Sequence, residues 1–370
     1  MNIPKPTPTI LLILPLLLLL SACGTGQPTE VLPENLNTDS GESPVQIILY
    51  TPEEMINQNI ISEFDEQAGI SVIQRDYTTD AELISIVDSQ PGKISFVVAS
   101  NYAASALIDQ QLLALLDPTN IPNLPNIGNR FRSLLYDPNN QYCAPFAYGT
   151  VGLGYVNGQG LTPTTWGDLF RLAPDSPAYG RATLLDHGRE AIGAALIHLG
   201  YNANTTDEAE IAEAKQLILQ AADSFDSLDS LEYGQRLATL QTSLAQGLSR
   251  DFLFMQEVNP EINYALPQEG SLLRIYSLCV PASAPPEHKR AAEVFINLVL
   301  EREWAADSVL NLQLATTITA ADDLIALDTR NNPFIYPPDE VWNNAQYVFS
   351  LGTLEIFYIT AWEEIANAIR

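Results

Sequence analysis

The sequence predicts an α/β fold that is divided into two lobes. Apolar runs of strand type alternate with helical patterns between Val45 and Ala99, an order typical of a mainly parallel sheet covered by helices. The chain has 370 residues, more than one compact core usually holds. Together, alternation and length favour two α/β lobes.

The first 44 residues are predicted to direct and tether the chain. Lys5 precedes the apolar run Ile10–Leu20, which as a helix would rise only about 16 Å, too little for the roughly 30 Å of a bilayer core. This layout is typical of a cleaved export signal over residues 1–22. The small residues before Cys23 resemble a bacterial lipobox, which implies lipidation of Cys23. Residues 23–44 are polar and predict a flexible tether.

The first part of the folded body predicts three strands and two helices. The strands are expected at Val45–Tyr50, Ile70–Ile73 and Ile94–Ala99. The first helix carries Ile56, Ile60, Ile61 and Phe64 and ends before Gly69; the second has Asp80 as its cap and carries Leu83, Ile84 and Val87. The third strand is almost wholly apolar, as expected of a strand covered on both faces.

Further elements follow in the remainder of the chain. Tyr142–Val156 is strand-like but interrupted by Pro145 and glycines. The segment Thr165–Asp168 predicts a helix start, and Thr205–Glu208 predicts a capping box for a helix with Ile211, Leu217 and Ile218. Leu272–Val280 predicts a strand, and a helix with Val294, Phe295, Leu298 and Val299 follows Pro285–Pro286.

Charge and motif content disfavour several functions. Lys and Arg number 17 against 45 Asp and Glu, a net charge of −28, which repels nucleic acid and anionic lipid. A secreted hydrolase would need a G-x-S-x-G elbow, an H-E-x-x-H helix or a Cys–His pair, and the sequence offers no convincing example. With His187, His198 and His288 as the only histidines, we expect no metal site and no cofactor.

An ordered series of short motifs resembles the spermidine/putrescine-binding proteins of bacterial ABC importers. The motifs are Ile60–Phe64, Ala68–Val72, Phe96–Tyr102, Tyr136–Asn140, Thr165–Leu169, Arg189–Glu190, Leu199–Tyr201, Asn204–Asp207, Pro267–Gly270, Ser277–Leu278 and Phe295–Asn297. The match as a whole, which includes the strand before the first motif, runs from about Val45 to the C-terminus. Each motif is weak by itself, whereas their common order is specific.

The resemblance implies a type II periplasmic-binding-protein clamshell. Its chain crosses between the lobes near Cys143–Phe146 and near Ile275–Pro281. Lobe 1 is then expected at 45–144 and 277–318, and lobe 2 at 145–276 and 319–370. A monomer that is lipid-anchored outside the cytoplasmic membrane would close around a small solute and pass it to ABC permease subunits.

The resemblance also implies a ligand-binding set with several substitutions. The positions are Ser100, Tyr102, Asp186, His187, Glu190, Met255, Arg274 and Tyr276. Arg274 and Tyr276 stand where the family has a tryptophan and an aspartate, and a fixed cation about 4 Å from a ligand ammonium costs roughly 4 kcal/mol. The ligand is therefore a polyamine, or a different solute that presents a carboxylate to Arg274. Two other possibilities remain open: Arg274 pairs with Glu190 or Asp186 and fills the cleft itself, or the pocket is degenerate and has a structural or accessory role.

Two further cysteines fall one in each crossing segment of the implied fold. Because those strands would run side by side, we expect Cys143 and Cys279 to form a disulfide in an oxidising compartment. Two free buried thiols are the alternative.

Overall fold

The computed structural model describes residues 45–369. The predicted export signal, the lipidation site Cys23 and the tether lie outside the described residues, as does Arg370. Within the described part, no helix combines the length and the apolar character needed to span a membrane.

Strands and helices alternate along the described chain. The strands are β1 Gln46–Thr51, β2 Ser71–Asp76, β3 Phe96–Ser100, β4 Ser133–Leu134, β5 Asp137–Pro138, β6 Cys143–Val156, β7 Ala182–Leu184, β8 Phe225–Leu228, β9 Leu244–Leu248, β10 Ile262–Ala265, β11 Leu272–Cys279 and β12 Ala315–Thr316. The helices are α1 Gln58–Ala68, α2 Asp80–Ser89, α3 Asn101–Asp109, α4 Gly167–Phe170, α5 Gly188–His198, α6 Glu208–Gln220, α7 Tyr233–Ala238, α8 Ser249–Met255, α9 Pro286–Val299, α10 Arg302–Leu312, α11 Leu327–Arg330, α12 Asp339–Asn344 and α13 Glu355–Ile369.

One sheet joins two groups of parallel strands. Its order is β2-β1-β3-β11-β6-β9-β7-β8, with β10 and β12 added against β6. Strand β1 pairs in parallel with β2 and β3, and β7 pairs in parallel with β8 and β9. The antiparallel pair β6 and β11 connects the two groups. This arrangement confirms the predicted two-lobed α/β architecture.

The predicted strands and helices of the first group are confirmed. All five residues of β3 are buried, in keeping with its apolar sequence. On α1, Ile60 and Phe64 face the core, and Gly69 ends the helix in the left-handed region at φ 64°, which glycine adopts without a side-chain clash. Ile61 is only partly buried, and Ile56 precedes the helix.

Two predicted helix caps are wrong. The cap of α2 is Thr79, whose hydroxyl accepts a hydrogen bond from the Glu82 amide at 3.1 Å, while Asp80 is the first helical residue. The cap of α6 is Asp207 and not the predicted Thr205, because the Asp207 carboxylate accepts from the Ala209 amide at 2.8 Å. The two predictions failed because aspartate and threonine both cap helices well, so neighbouring residues of these types compete for the cap position.

Strand β6 is continuous over 14 residues, although the sequence predicted interruptions. Pro145 is accommodated at a register shift opposite Tyr276 and Ser277, where a missing amide hydrogen disturbs the ladder least. At Gly154 an added Cβ would lie 2.1 Å from the Phe252 ring. The glycine therefore permits close packing and does not break the strand.

Near the centre of the sheet, a C-terminal segment connects both strand groups. The buried Asn101 accepts from the Ile275 amide at 2.8 Å and donates to the Val348 carbonyl. The Ser350 amide donates to the Ser105 hydroxyl at 2.7 Å. On the opposite side, Asn204 donates to the Tyr347 carbonyl at 2.8 Å. Residues 347–350 thus form a third connection beside β6 and β11.

The cysteines lie where these two central strands are paired. Cys143 begins β6, Cys279 ends β11, and the ladder places them directly opposite each other. They form a disulfide, with 4.4 Å between their Cα atoms. The bond therefore joins the two connecting strands at the end next to β3.

Candidate ligand-binding site

The carboxyl ends of both groups of parallel strands meet at one cleft. In the first group, β1, β2 and β3 lead into segments 52–57, 77–79 and the start of α3. In the second group, β7, β8 and β9 lead into segments 185–187, 229–232 and the start of α8. Ligands of open α/β sheets bind outside the carboxyl ends of the strands. The cleft is therefore the candidate site.

A cavity of about 640 Å³ lies in this cleft. From the first strand group it is lined by Pro52 to Met55, Tyr77 and Thr78; from the second by Ser230, Leu231, Tyr233 to Gln235, Leu248, Arg250, Asp251, Phe254, Met255, Glu257 and Val258; and from β11 by Arg274 and Tyr276. Its size falls within the range typical of small-molecule pockets.

Carboxylates and aromatic rings share the walls of this cavity. Glu53, Glu54 and Glu257 are exposed, and Asp251 is partly buried. We call these four the acidic rim. Tyr77, Tyr233, Phe254 and Tyr276 supply aromatic surface. Ammonium groups bind to carboxylates and to aromatic faces, so such walls suit an organic cation.

Beside the cavity, Asp80 links the two strand groups. Its Oδ2 accepts from the Ser100 hydroxyl at 2.8 Å and lies 3.1 Å from His187 Nε2. The edge of the Tyr102 ring packs against the His187 ring at a centroid distance of 5.8 Å. Burial would raise the pKa of Asp80, but His187 holds it below its usual range. Ser100, Tyr102 and His187 are therefore engaged with protein groups.

The opposite charges of this region raise the pKa of His187. Burial alone would lower it, whereas the carboxylates of Glu190 and Asp80 outweigh that effect. His187 is also the cap of α5, where its Nδ1 accepts from the Glu190 amide at a long 3.3 Å. Burial, the positive charge of Arg274 and one long hydrogen bond thus oppose protonation of His187, and the two carboxylates outweigh them.

Arg274 is paired with Glu190, as one of the sequence alternatives foresaw. Arg274 Nε donates to Glu190 Oε1 at 2.9 Å, and Nη2 donates to Oε2, a bidentate pair. The Glu190 side chain is only 3% exposed. Burial lowers the pKa of Arg274, but Glu190 outweighs burial and raises that pKa well above its usual value, so Arg274 stays charged. A ligand therefore meets a neutralised pair at this position.

The structure separates the predicted site residues into two sets. Met255, Arg274 and Tyr276 line the cavity. Ser100, Tyr102, His187 and Glu190 lie in the neighbouring polar contacts, and Asp186 is exposed immediately before His187. Among residues 45–369, no three His, Cys, Asp or Glu side chains are arranged to hold a metal ion.

Sequence reasoning missed the acidic rim and Arg250. Glu53 and Glu54 follow the predicted first strand, so the carboxyl-end rule could have identified them, whereas Asp251 and Glu257 lie within and after α8, for which the sequence analysis predicted no element. Arg250 is the second residue of α8 and lies in its first turn, where the helix dipole disfavours a cation. A basic residue at that place was the available signal that it has a particular role.

Known proteins share this architecture and sequence pattern. The family model described as bacterial extracellular solute-binding protein matches residues 59–333. The chain belongs to this family. It is a solute-binding protein that acts outside the cytoplasm, in a family of binding proteins and not of enzymes.

Individual relatives of this solute-binding protein share less than a quarter of its residues in the three comparisons that follow. It is 24% identical over 324 residues to the spermidine/putrescine-binding periplasmic protein of Escherichia coli K12, covering 86% of this chain and 91% of the relative. The spermidine/putrescine ABC transporter substrate-binding protein PotD of Streptococcus pneumoniae superposes with TM-score 0.76 at 22% identity, covering 88% of this chain and all of that one. The TpPotD lipoprotein of Treponema pallidum superposes with TM-score 0.78 at 23% sequence identity, covering 86% of this chain and 99% of that one. These likenesses support the two-lobed fold.

Proposed function

We propose that this protein is the solute-binding component of an ABC importer and that its ligand is a small aliphatic amine. The observation that carries the proposal is the cavity of about 640 Å³, which combines the acidic rim with aromatic walls. The similar proteins of Escherichia coli and Streptococcus pneumoniae are named for spermidine and putrescine, which agrees with an amine ligand. The permease would then accept the closed, ligand-bound form.

We propose that the lobes divide at the central strands. Lobe 1 comprises 45–144 and 277–318, and lobe 2 comprises 145–276 and 319–370. The pairing of β1 to β3 on one side of β6 and β11, and of β7 to β9 on the other, supports this division. Small-angle scattering with and without ligand tests it, because hinge closure lowers the radius of gyration. An unchanged radius at saturation would contradict closure.

The amine is tested by thermal shift with putrescine, spermidine and their homologues. A ligand at about 100 times its dissociation constant stabilises the folded state by roughly 2.7 kcal/mol. We expect Glu257→Gln and Glu53→Gln each to weaken amine binding about 2- to 5-fold, the range for an exposed ion pair. Glu287→Gln, an exposed carboxylate on α9, is the matched control. Equal effects at all three positions would contradict a role for the rim.

We propose that the mature protein is a monomer anchored by lipid on Cys23 at the outer face of the cytoplasmic membrane. The lipobox-like residues before Cys23 and the polar stretch after it support this. Several acyl chains on one residue would make anchoring durable. The Cys23→Ala protein should leave the membrane fraction on fractionation, and wild-type protein in the soluble fraction would contradict the anchor.

We propose that the Cys143–Cys279 disulfide forms in exported protein. Its support is the direct opposition of the two residues in the β6–β11 ladder. Thiol titration of denatured, unreduced Cys23→Ala protein should find no free thiol. Two reactive thiols would show that the bond is absent.

A further inference from the structure

Arg250 is the buried cation of the cavity that has few partners of its own. It follows β9 in the first turn of α8, is 6% exposed and lines the cavity. A guanidinium carries five N–H donors and stays charged when buried. A buried cation must be compensated by acceptors, or its desolvation is unfavourable.

The acceptors that the protein supplies to Arg250 are weak. Nη1 lies 2.7 Å from the Met55 sulfur, a poor acceptor. The buried Nε has no hydrogen-bond partner within residues 45–369 and is 3.8 Å from Asp251 Oδ1, beyond hydrogen-bonding distance. The guanidinium also lies over the Phe254 ring at 5.0 Å. Asp251 itself accepts a hydrogen bond from the Tyr233 hydroxyl.

The second arginine of the cavity is satisfied by contrast. Arg274 forms its bidentate pair with Glu190. Tyr276 lies close to both arginines: burial raises the pKa of its phenol, and Arg274 and Arg250 act in the opposite direction. The inner wall of the cavity therefore has one neutralised arginine, one undersatisfied arginine and a neutral phenol.

We propose that Arg250 receives a carboxylate of the ligand, so that the transported amine is an amino carboxylate. This inference rests on the proposed function and narrows its ligand class. The carboxylate would accept charge-assisted hydrogen bonds from the guanidinium, and the ammonium group would face the acidic rim. A diamine of the same length would instead place its second ammonium beside a guanidinium that has only a long ion pair with Asp251, at 3.8 Å, and Coulomb repulsion disfavours this.

The test compares matched ligands by isothermal titration calorimetry. The probes are α,ω-diamines of three to six carbons and the ω-amino carboxylates of the same lengths. We expect the tightest amino carboxylate to bind the wild-type protein at least about 10-fold more tightly than the tightest diamine, a difference typical of one charged hydrogen-bonding partner. A diamine that binds equally or more tightly overturns the inference and leaves the proposed amine function intact. If neither series binds, the proposed function falls with it.

Variants of Arg250 test the residue itself. Arg250→Gln should weaken amino carboxylate binding on the order of 10- to 100-fold and leave diamine binding unchanged or tighter. Arg250→Lys should retain part of the preference because it keeps the charge without the fork. The control is Arg302→Gln, which removes an arginine of α10 that is paired with Asp323. Circular dichroism and melting curves establish that each variant is folded.

Equal loss of both ligand series in a folded Arg250→Gln protein would overturn the assignment, because it would indicate a general effect on the cavity. The same holds if Arg250→Gln binds amino carboxylates as tightly as wild type. A reversal of preference between the two series is the result that a purely structural role of Arg250 would not produce.

Discussion

Two ion pairs occupy the part of the cleft where the family resemblance implied ligand contacts. Asp80 pairs with His187 from the other strand group, and Arg274 pairs with Glu190. Both pairs are mostly withdrawn from water, so each charge depends on its partner. The consequences can be measured residue by residue.

The Arg274–Glu190 pair predicts a strongly coupled double-mutant cycle. Glu190→Gln leaves Arg274 with a buried charge, and we expect it to lower the free energy of unfolding by about 3 kcal/mol. Arg274→Met leaves the Glu190 carboxylate uncompensated and should cost a similar amount. The double variant should lose less than the sum of the two, as urea denaturation can measure. Additive losses would contradict mutual dependence.

The Asp80–His187 contact predicts a pH-dependent stability. The raised pKa of His187 means that its contribution is fully present below the unfolded value of 6.5 and is lost as pH rises through the folded value. The lowered pKa of Asp80 keeps that carboxylate charged down to below 3.8. Glu190 and Arg274 also face the imidazole and enter the same balance. Wild-type stability relative to His187→Asn should therefore be greater at pH 5.5 than at pH 9.

His187→Asn is the suitable reference because asparagine is among the best caps and can keep the start of α5. The variant thus removes titration and retains the cap. Urea denaturation of both proteins at the two pH values gives the comparison. A stability difference that does not change with pH would exclude the ion pair as a source of stability.

The sequence indicated the residue types of the cleft and could not indicate their pairing. Glu190 and Arg274 are 84 positions apart, and only the meeting of α5 with β11 brings them together. Asp80 was predicted as a helix cap from its residue type alone. Its contact with His187 was not predictable, because it depends on the approach of the second strand group. Arg250 gave one local signal, its place in a first helical turn.

At the scale of elements, the contact of α5 with α13 predicts opposite effects for two glycines of one helix. A Cβ at Gly188 would lie 2.6 Å from Cγ of Trp362, so Gly188→Ala should destabilise the fold by about 1–3 kcal/mol. At Gly193 the nearest atom to a Cβ is 3.4 Å away, an ordinary contact. Gly193→Ala should therefore be neutral or stabilising by up to about 1 kcal/mol. Thermal melts of the two variants make the comparison.

Equal destabilisation by both alanines would show that α5 tolerates no added methyl group and would refute the specific packing against Trp362. The pair is matched because both residues are glycines of α5 and both gain the same methyl group.

Element types were predictable because local patterns set them, whereas element limits and caps depended on neighbours. The apolar run of β3 and the glycine after α1 were sufficient signals. The continuity of strand β6 was not predictable, because its glycines and Pro145 resemble breaks until the close packing of Phe252 and the register shift are known.

At the scale of the whole molecule, the net charge of −28 predicts a salt dependence that follows ligand charge. Exposed acids such as those of the rim attract a cation over distances that salt screens, with a Debye length of about 10 Å at 0.1 M. The dissociation constant of a diamine should rise several-fold between 20 and 200 mM NaCl. That of a zwitterionic amino carboxylate should change less than about 2-fold. Calorimetry at both salt concentrations measures this.

An equal response of both ligands to salt would mean that the overall field does not act at the cleft.

The architecture itself was predictable from the order of strands and helices, together with the family resemblance. The cavity was less predictable, since its walls come from segments that are distant in sequence.

The hydrogen bonds of Asn101 restrict how the two halves can move. The side-chain amide of Asn101, at the start of α3, is hydrogen-bonded to both β11 and the C-terminal segment, so three backbone segments meet at this residue. An opening of the cleft that preserves these bonds keeps the start of α3, β11 and Val348 together, so displacement close to Asn101 has to stay small.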